Sequence, residues 1–159
     1  MRFRTTEICD KFPDFLQISE PVFSDYGKET MMHGLVVTLK VFEDNALVRT
    51  VLEEPGMCRV LVVDGGGSMR CALLGDKLAT MAKENSWSGI VINGCIRDSA
   101  VISRIGIGIK ALGVHPLRSI KRGFGDRDIT VRFAGVNFIP GHYIYADEDG
   151  ILVVENPLL

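Results

Sequence analysis

The 159-residue sequence predicts an α/β fold with a mixed central sheet and flanking helices. Short apolar runs rich in β-branched residues are separated by 17 glycines, well above the average usage of roughly 7%, which is typical of strands joined by tight turns. These runs alternate with helical patterns through the middle of the chain, whereas strand patterns alone fill it from Asp128 onward. This order indicates a parallel centre with an antiparallel or mixed C-terminal sheet packed on it.

Seven segments carry a strand pattern. They are residues 34–42, 59–63, 89–93, 108–112, 128–133, 136–139 and 143–154, the last interrupted at 148–150. The runs at 59–63 and 89–93 are almost continuously apolar, as expected of strands covered on both faces. We therefore expect these two strands to be central.

Helical patterns predict four helices. The first begins near Thr5 and is limited by Pro13, the second covers 45–54 before Pro55, and a short fourth covers 99–105. The third, over 76–85, has the clearest apolar periodicity, and Asp76 is its predicted N-cap.

Composition favours one domain, residues 1–159, with a single core. The 18 basic and 20 acidic residues leave a net charge of −2, which disfavours direct binding of nucleic acid through a phosphate-neutralising surface. No apolar run approaches the roughly 18 residues of a membrane span, and charged residues precede any apolar segment at the N-terminus, so we expect a cytoplasmic protein. The four cysteines contain no Cys-x-x-Cys pair, which disfavours a zinc site or a disulfide framework.

Two glycine-rich stretches follow the predicted central strands. The first begins at residues 63–68 with the triple glycine Gly65-Gly66-Gly67 and continues through Leu74 into Gly75-Asp76; the second, residues 93–98, ends in Arg97-Asp98. Because ligands in α/β proteins bind beyond the carboxyl ends of strands, both stretches are predicted to face one cleft. The triple glycine is either an anion-binding nest or a purely conformational turn, and the turn is favoured because neither a P-loop nor a dinucleotide fingerprint surrounds it.

The start of the third helix is a candidate anion site. The backbone amides of Asp76, Lys77 and Leu78, which follow Gly75, are among those without intrahelical partners. They can bind a carboxylate. The alternative is that Asp76 only caps its own helix.

Arg97-Asp98 is the sharper chemical signal. A carboxylate at a strand end can hold a hard divalent cation, and the adjacent guanidinium can stabilise a substrate oxygen that becomes negatively charged. One carboxylate is a sparse metal site, but Mg²⁺ tolerates one or two protein carboxylates, with water and substrate oxygens as the other ligands. A surface ion pair or a turn is the alternative.

The sequence resembles the RraA-like family essentially from end to end. This family includes the regulator of ribonuclease activity A and the class II 4-hydroxy-4-methyl-2-oxoglutarate aldolases. The resemblance rests on the following motifs: Thr6 with Ile8-Cys9-Asp10, Val41-Phe42-Glu43-Asp44-Asn45, Val60-Leu61-Val62-Val63-Asp64-Gly65-Gly66-Gly67-Ser68, Asp76 followed after twenty residues by Arg97-Asp98, Gly94-Cys95-Ile96, Tyr145-Ala146-Asp147 and Asp149-Gly150-Ile151.

The resemblance implies a swivelling β/β/α fold and a homotrimer with sites at subunit boundaries. It assigns Asp98 to a divalent metal, Mg²⁺ or Mn²⁺, and Arg97 to the substrate. It assigns the turn formed by Gly75, Asp76, Lys77 and Leu78 to the carboxylate of a pyruvate-like 2-oxo acid. A further acidic residue is expected from the neighbouring subunit. The candidates for it are Glu148, Asp149 and Glu155.

The first functional hypothesis is a metal-dependent lyase. It would cleave 4-hydroxy-4-methyl-2-oxoglutarate to two pyruvates and decarboxylate oxaloacetate, because both reactions break a C3–C4 bond and leave a pyruvate enolate. Arg97 would stabilise the enolate oxygen, and Asp76 would deliver a proton through a bound water.

The alternative hypothesis is a non-catalytic regulator that binds and inhibits an RNase E-type endonuclease or its helicase partner. The fold does not discriminate between the two hypotheses. Asp98 does, since regulators in the family can lack this carboxylate; its presence favours the lyase. Methyl transfer from S-adenosylmethionine is disfavoured, because no glycine-rich adenosyl-binding loop follows the first strand.

The remaining polar clusters have simpler interpretations. His33, His115 and His142 lack metal-ligand spacing and are predicted to be structural. Cys71 and Cys95 are predicted to be small buried hydrophobes. A local basic cluster is predicted to form a solvated loop, with a subunit or protein partner as the alternative. Its members are Arg118, Lys121, Arg122 and Arg127.

Overall fold

A ten-stranded mixed sheet runs through the computed structural model, which describes residues 1–159. The strands are β1 (Gln17–Ile18), β2 (Ser24–Asp25), β3 (Met32–Lys40), β4 (Val60–Asp64), β5 (Ala72–Leu74), β6 (Gly89–Ile96), β7 (Gly108–Val114), β8 (Asp126–Arg127), β9 (Val131–Phe133), β10 (Val136–Phe138), β11 (Tyr143–Asp147) and β12 (Gly150–Val154). All but β9 and β10, which pair with each other as a separate hairpin, belong to the main sheet.

Four short α-helices complete the structure, together with one 3₁₀ turn at Pro13–Phe15. They are α1 (Thr5–Lys11), α2 (Ala46–Leu52), α3 (Asp76–Glu84) and α4 (Ser99–Ile102). None of them combines the length and the apolar character that a bilayer-crossing helix requires.

The main sheet joins a parallel half to an antiparallel half. Its order is β1-β12-β11-β3-β4-β6-β7-β2, with β5 beside β6 and β8 beside β3. Strands β3, β4, β6 and β7 are mutually parallel, while β11 and β12 form an antiparallel hairpin. Strand β3 serves both halves, because residues 32–35 pair with β11 and residues 36–40 pair with β4.

Three layers are stacked around this sheet. On one face, helices α2, α3 and α4 bury their apolar sides against the parallel strands in a cluster that includes Val48, Leu78 and Ile102. On the other face, the β9–β10 hairpin packs through Phe133 and Phe138 onto the opposite side of the sheet. Helix α1 covers the β11–β12 hairpin through Ile8. The hairpin, sheet and helix layers confirm the predicted β/β/α arrangement with a mixed central sheet.

The secondary structure agrees with most sequence predictions. Every residue of β4 is buried, as its apolar run implies, and all four predicted helices are present with shorter bounds. The three-residue strand β5 is not among the predicted strands. The strand predicted from Asp128 begins only at Val131, because Asp128 adopts a left-handed conformation with φ 57° that ends extended pairing.

Candidate active site

A cavity of about 250 Å³ opens at the carboxyl ends of β5 and β6. Its walls come from four places in the chain: the start of α2, the first turn of α3, the turn between β6 and α4, and a loop that follows β7. We call residues 117–124 of that loop the basic segment. Parallel strands place their carboxyl ends at one edge of the sheet, so residues distant in sequence meet there.

The two stretches that carry the predicted site residues are joined by direct contacts. The Arg97 backbone N–H donates to the Leu74 carbonyl at 2.9 Å, and the Asp98 Oδ2 atom accepts from the Asp76 backbone N–H at 3.2 Å. A Cβ at Gly75 would lie 2.8 Å from Asp98 Oδ2, so the Asp98 carboxylate would have to shift. Glycine at this position therefore lets the β6–α4 turn approach α3 closely.

Helix α3 begins differently from the sequence prediction. Gly75, not Asp76, is its N-cap, and Asp76 is the first helical residue. The Asp76 Oδ1 atom accepts from the Lys77 backbone N–H at 2.9 Å. The Asp98 carboxylate, in the neighbouring turn, accepts from the Asp76 N–H. Two of the amides predicted to bind an anion, those of Asp76 and Lys77, therefore donate to carboxylates of the chain itself.

Arg97 and Asp98 differ in backbone and in surroundings. Asp98 has φ 58° and ψ 39°, a left-handed conformation that aspartate tolerates better than most residues, and it is the N-cap of α4. Its side chain is exposed at the cavity, whereas Arg97 is half-buried and its guanidinium forms no ion pair. An unpaired, half-buried guanidinium facing a cavity is a site for an anionic oxygen.

The first glycine-rich stretch reaches this cavity at its end, through Leu74, Gly75 and Asp76, whereas its triple glycine does not line the cavity. The buried Asp64 Oδ1 atom accepts from the Gly66 N–H at 2.9 Å and from the Asn93 amide at 3.0 Å. Gly66 and Gly67 have φ of 67° and 72°, which residues with a Cβ rarely adopt. The triple glycine is the conformational turn that the sequence favoured over an anion nest.

The basic segment contributes two cavity residues that the sequence interpretation missed. Arg118 and Lys121 are exposed, as expected of a solvated loop, but they also line the cavity, while Arg122 is exposed elsewhere and Arg127 pairs with Glu54 at 2.6 Å. The available signal was positional, because the segment follows the carboxyl end of a strand parallel to β6.

Helix α2 supplies the other unforeseen residues, Asn45 and Arg49. The Asn45 Oδ1 atom is buried and has no hydrogen-bond partner. A buried acceptor without a partner costs on the order of 1–3 kcal/mol, and because this atom has almost no accessible surface it is a local cost to the fold.

Positive charge dominates the cavity. Its lining contains five cationic side chains against two carboxylates, Asp76 and Asp98. Only Arg49 among the five has an acidic partner, Glu53, at 3.1 Å on the exposed side of α2. The other four are Lys77, Arg97, Arg118 and Lys121. Unpaired cations around one cavity favour a ligand with more than one negative charge.

The histidines and cysteines have the structural roles predicted for them. None of the three histidines lines the cavity, and His33 Nδ1 lies 2.8 Å from Tyr143 Oη. Cys71 and Cys95 are buried, and that burial raises the pKa of both thiols, so neither is a ready nucleophile. All four cysteines are free.

Comparison with known proteins identifies the family. The RraA-like family model, described as Aldolase/RraA, matches residues 5–153. The chain therefore belongs to the RraA-like family, as its motifs indicated.

Similar proteins in this family carry different functional names. A protein of Alkalilimnicola ehrlichii, provisionally named a 4-hydroxy-4-methyl-2-oxoglutarate aldolase, is 55% identical over 100% of this chain and 99% of its own. The structure of the RNA-processing inhibitor RraA from Thermus thermophilus has a TM-score of 0.96 and 45% identity, covering 100% of this chain and 96% of that one. A structure from Geobacillus kaustophilus, described as an S-adenosylmethionine:2-dimethylmenaquinone methyltransferase, has a TM-score of 0.94 and 49% identity over 98% and 97%.

Proposed function

We propose that this protein is a divalent-metal-dependent carbon–carbon lyase for dicarboxylic 2-oxo acids. Its reactions would be cleavage of 4-hydroxy-4-methyl-2-oxoglutarate to two pyruvates and decarboxylation of oxaloacetate. The provisional names of relatives that match the whole chain support the aldolase assignment. One observation carries the proposal: a helix start, an unpaired guanidinium and an exposed carboxylate meet in a cavity with excess positive charge.

The residues present fit a hard divalent cation. Asp98 offers a carboxylate at the cavity, and Asp76 is the only other acidic residue that lines it. The chain contains no group of three His, Cys, Asp or Glu side chains able to hold a metal alone. One or two carboxylates with water and substrate oxygens is a ligand set of Mg²⁺ or Mn²⁺, whereas zinc sites use at least three protein ligands. Asp98 is accordingly the residue assigned to the metal.

The side chains have separable tasks in the proposed reaction. When bound, the metal would polarise the carboxylate and keto oxygens of the substrate and so lower the barrier to C3–C4 cleavage. The turn from Gly75 to Leu78 would hold the carboxylate next to the keto group through the Leu78 N–H, because the Asp76 and Lys77 N–H groups already donate to carboxylates of the chain. Arg97 would stabilise the charge on the enolate oxygen. Asp76 would relay a proton to C3 through water, taken from the 4-hydroxyl in aldol cleavage and from solvent in decarboxylation, giving pyruvate.

The basic segment fits the second carboxylate of the substrate. Arg118 and Lys121 line this wall of the cavity without acidic partners. A cavity of about 250 Å³ suits a small acid of this kind. We therefore assign preference for dicarboxylic over monocarboxylic 2-oxo acids to this wall.

The proposal includes a homotrimer in which a neighbouring subunit completes the site. Glu148, Asp149 and Glu155 are exposed, and none of them lines the cavity of its own chain. The acidic residue expected beside the metal would come from one of these positions on another copy. Sedimentation equilibrium tests the trimer, and mixing Asp98→Asn chains with chains altered at each acidic position tests whether activity is restored across subunits.

The decisive experiment measures pyruvate release from oxaloacetate with Mg²⁺ or Mn²⁺, before and after EDTA. The variant is Asp98→Asn, because asparagine tolerates the left-handed backbone at this position. Asp128→Asn is a matched control, since Asp128 is also an exposed aspartate with a left-handed backbone, φ 57°, but lies outside the cavity. We expect metal-dependent release that is lost in Asp98→Asn and kept in Asp128→Asn. A wild-type rate equal to that of the free metal would reject the proposal.

The second candidate is a regulator of RNA processing. It is favoured by the likeness to the Thermus inhibitor, which extends over the whole chain. A pull-down with an RNase E-type endonuclease or its helicase as bait tests this role, and Asp98→Asn separates it from catalysis, because binding without turnover should survive that change.

A further inference from the structure

Asp44 binds two separate parts of the chain through backbone amides. Its carboxylate is 2% exposed. Oδ1 accepts from the Ala46 N–H at 3.1 Å, at the start of α2. Oδ2 accepts from three consecutive N–H groups, those of Arg122, Gly123 and Phe124, at 3.1, 2.9 and 3.1 Å. Consecutive amides around one oxygen form an anion-binding nest, and here the anion is a side chain of the same protein.

The ionised form of Asp44 is favoured in this position. Burial alone would raise the pKa of the carboxyl, but the four backbone donors more than offset it, so the pKa lies below its ordinary value. Hydrogen bonds to a charged acceptor are stronger than those to a neutral one. The contact between Asp44 and residues 122–124 is therefore a firm attachment.

This attachment fixes the end of the basic segment that carries Lys121. Ile120, the residue before Lys121, makes two backbone hydrogen bonds. Its N–H donates to the Glu43 carbonyl at 3.1 Å, and its carbonyl accepts from the Asn45 N–H at 3.2 Å. Between Ile120 and β8, the backbone amides that donate hydrogen bonds are the three that bind Asp44. Lys121 thus lies between two attachments, and both come from residues 43–45.

The other cavity residue of the segment is held independently of Asp44. The Ala72 N–H donates to the Leu117 carbonyl at 2.8 Å, directly before Arg118. Loss of the Asp44 contact would therefore free residues 122–124 on one side of Lys121, while Ile120 stays bonded to residues 43 and 45 and the Arg118 end stays attached to β5.

We infer that Asp44 is a positioning residue for substrate specificity. By holding residues 122–124 it sets where the Lys121 ammonium stands at the cavity, and so it determines how well the protein binds a second carboxylate. This inference rests on the proposed function for the identity of the ligand. It assigns to Asp44 no contact with substrate.

The test compares two inert ligands, 2-oxoglutarate and pyruvate, by calorimetry in Mg²⁺. The first is a dicarboxylic 2-oxo acid that has neither a carboxylate on C3 to lose nor a 4-hydroxyl for aldol cleavage. In Asp44→Asn the charge is lost and an amide group faces the backbone donors. We expect the dissociation constant of 2-oxoglutarate to rise on the order of tenfold and that of pyruvate to stay within about twofold. In turnover of oxaloacetate, KM should rise while kcat changes little.

Asp147→Asn is the matched control. Asp147 is also a buried carboxylate that accepts backbone N–H groups, from Thr5 at 2.7 Å and Asp149 at 2.9 Å, but it lies at the β11–β12 hairpin. It should lower the stability without changing the ratio of the two dissociation constants. Equal weakening of both ligands in Asp44→Asn, or the same change of ratio in Asp147→Asn, would overturn the inference.

A double-mutant cycle tests whether Asp44 acts through Lys121. In the Lys121→Met background, Asp44→Asn should leave the binding of 2-oxoglutarate unchanged; a persistent effect would show that Lys121 is not the intermediary. If Asp44→Asn fails to fold, Gly123→Ala is the second variant. It strains the turn at φ 87° where a Cβ meets no atom within 4 Å, and it should produce a smaller loss for 2-oxoglutarate alone.

These outcomes separate the inference from the proposed function. Absence of metal-dependent turnover in the wild-type protein would reject the lyase, and the binding comparison would still test Asp44. Turnover with an unchanged preference for 2-oxoglutarate in Asp44→Asn would reject the role of Asp44 and leave the lyase standing.

Discussion

Charged side chains have opposite surroundings at the two ends of the molecule. At the β11–β12 hairpin, the Lys110 ammonium pairs with Asp25 at 2.9 Å and donates to the Asp147 carbonyl at 2.7 Å, while the Asp147 carboxylate accepts from Thr5. At the cavity, four of five cationic side chains have no acidic partner.

The difference teaches which polar groups stabilise the fold and which are kept for a ligand. A charge removed from water is tolerated only when ion-pair and hydrogen-bond partners compensate for the lost water, and at the hairpin end the chain itself provides these partners. The cavity end keeps its charges where solvent can reach them and leaves them without partners. Substitutions of the paired groups Asp25, Lys110 and Asp147 should therefore change stability, and substitutions at the cavity should change chemistry.

The largest effect is expected for Arg97→Ala. Removing a donor aimed at a developing oxyanion typically lowers kcat about 10²–10³-fold, and no ion pair of Arg97 is lost to destabilise the fold. Steady-state kinetics with oxaloacetate measures the loss, and a thermal melt checks the stability. Arg104→Ala is the control, because Arg104 is exposed and lies outside the cavity. An Arg97→Ala protein with wild-type kcat would place the oxyanion elsewhere.

A change of stability alone is expected for Lys110→Met. It leaves Asp25 and the Asp147 carbonyl without their partner and should cost about 2–3 kcal/mol. The cost is below that of a fully buried pair, because 21% of the Asp25 side chain is exposed. Urea unfolding measures it. Turnover at saturating substrate should stay within about twofold of wild type, and a larger loss would break the division between the two ends.

Two glycines offer a smaller and sharper comparison. A Cβ at Gly75 would lie 2.8 Å from Asp98 Oδ2, whereas a Cβ at Gly106, outside the cavity, would meet no atom closer than 3.6 Å. We expect Gly75→Ala to displace Asp98 and to lower kcat/KM about tenfold. Gly106→Ala should leave kinetics and melting temperature unchanged. Equal behaviour of the two variants would mean that close packing of Asp98 on α3 has no bearing on turnover.

Acid should produce the smallest of these effects. Burial alone would raise the pKa of Asp147, but hydrogen bonds from Thr5, Asp149 and Gly150 outweigh it, so the pKa lies below its ordinary 3.8. A lowered pKa in the folded state adds stability that is complete above the unfolded-state pKa and is lost as the pH falls through the folded-state value. The difference in unfolding free energy between wild type and Asp147→Asn should shrink from pH 6 towards pH 3. A constant difference would contradict this assignment.

Sequence reasoning placed the elements well where burial is two-sided or strictly periodic. The continuous apolar run at 60–63 predicts a buried strand, and the periodic apolar face of 76–85 predicts a helix; both are present as β4 and α3. Strand β5 is too short, at three residues, to produce a pattern of its own.

The candidate site was predictable where one turn carries the chemistry, and less so where distant segments meet. Arg97-Asp98 stood out because both residue types adjoin a strand end. Asn45 and Lys121 did not, since their place at the cavity depends on the bonds between residues 43–45 and the basic segment, which no local pattern reveals. The N-cap of α3 was misplaced for the same reason, because Asp98 reaches the helix from another turn.

Strand β3 gives the molecule one further property. The first four residues of β3 pair with β11 and its last five pair with β4. If either half of the sheet unfolds, the other half therefore loses a strand partner. Local damage at the hairpin should consequently be transmitted as a lower melting point for the whole chain, and fluorescence of Trp87 should lose its native signal in the same cooperative transition as the far-ultraviolet dichroism.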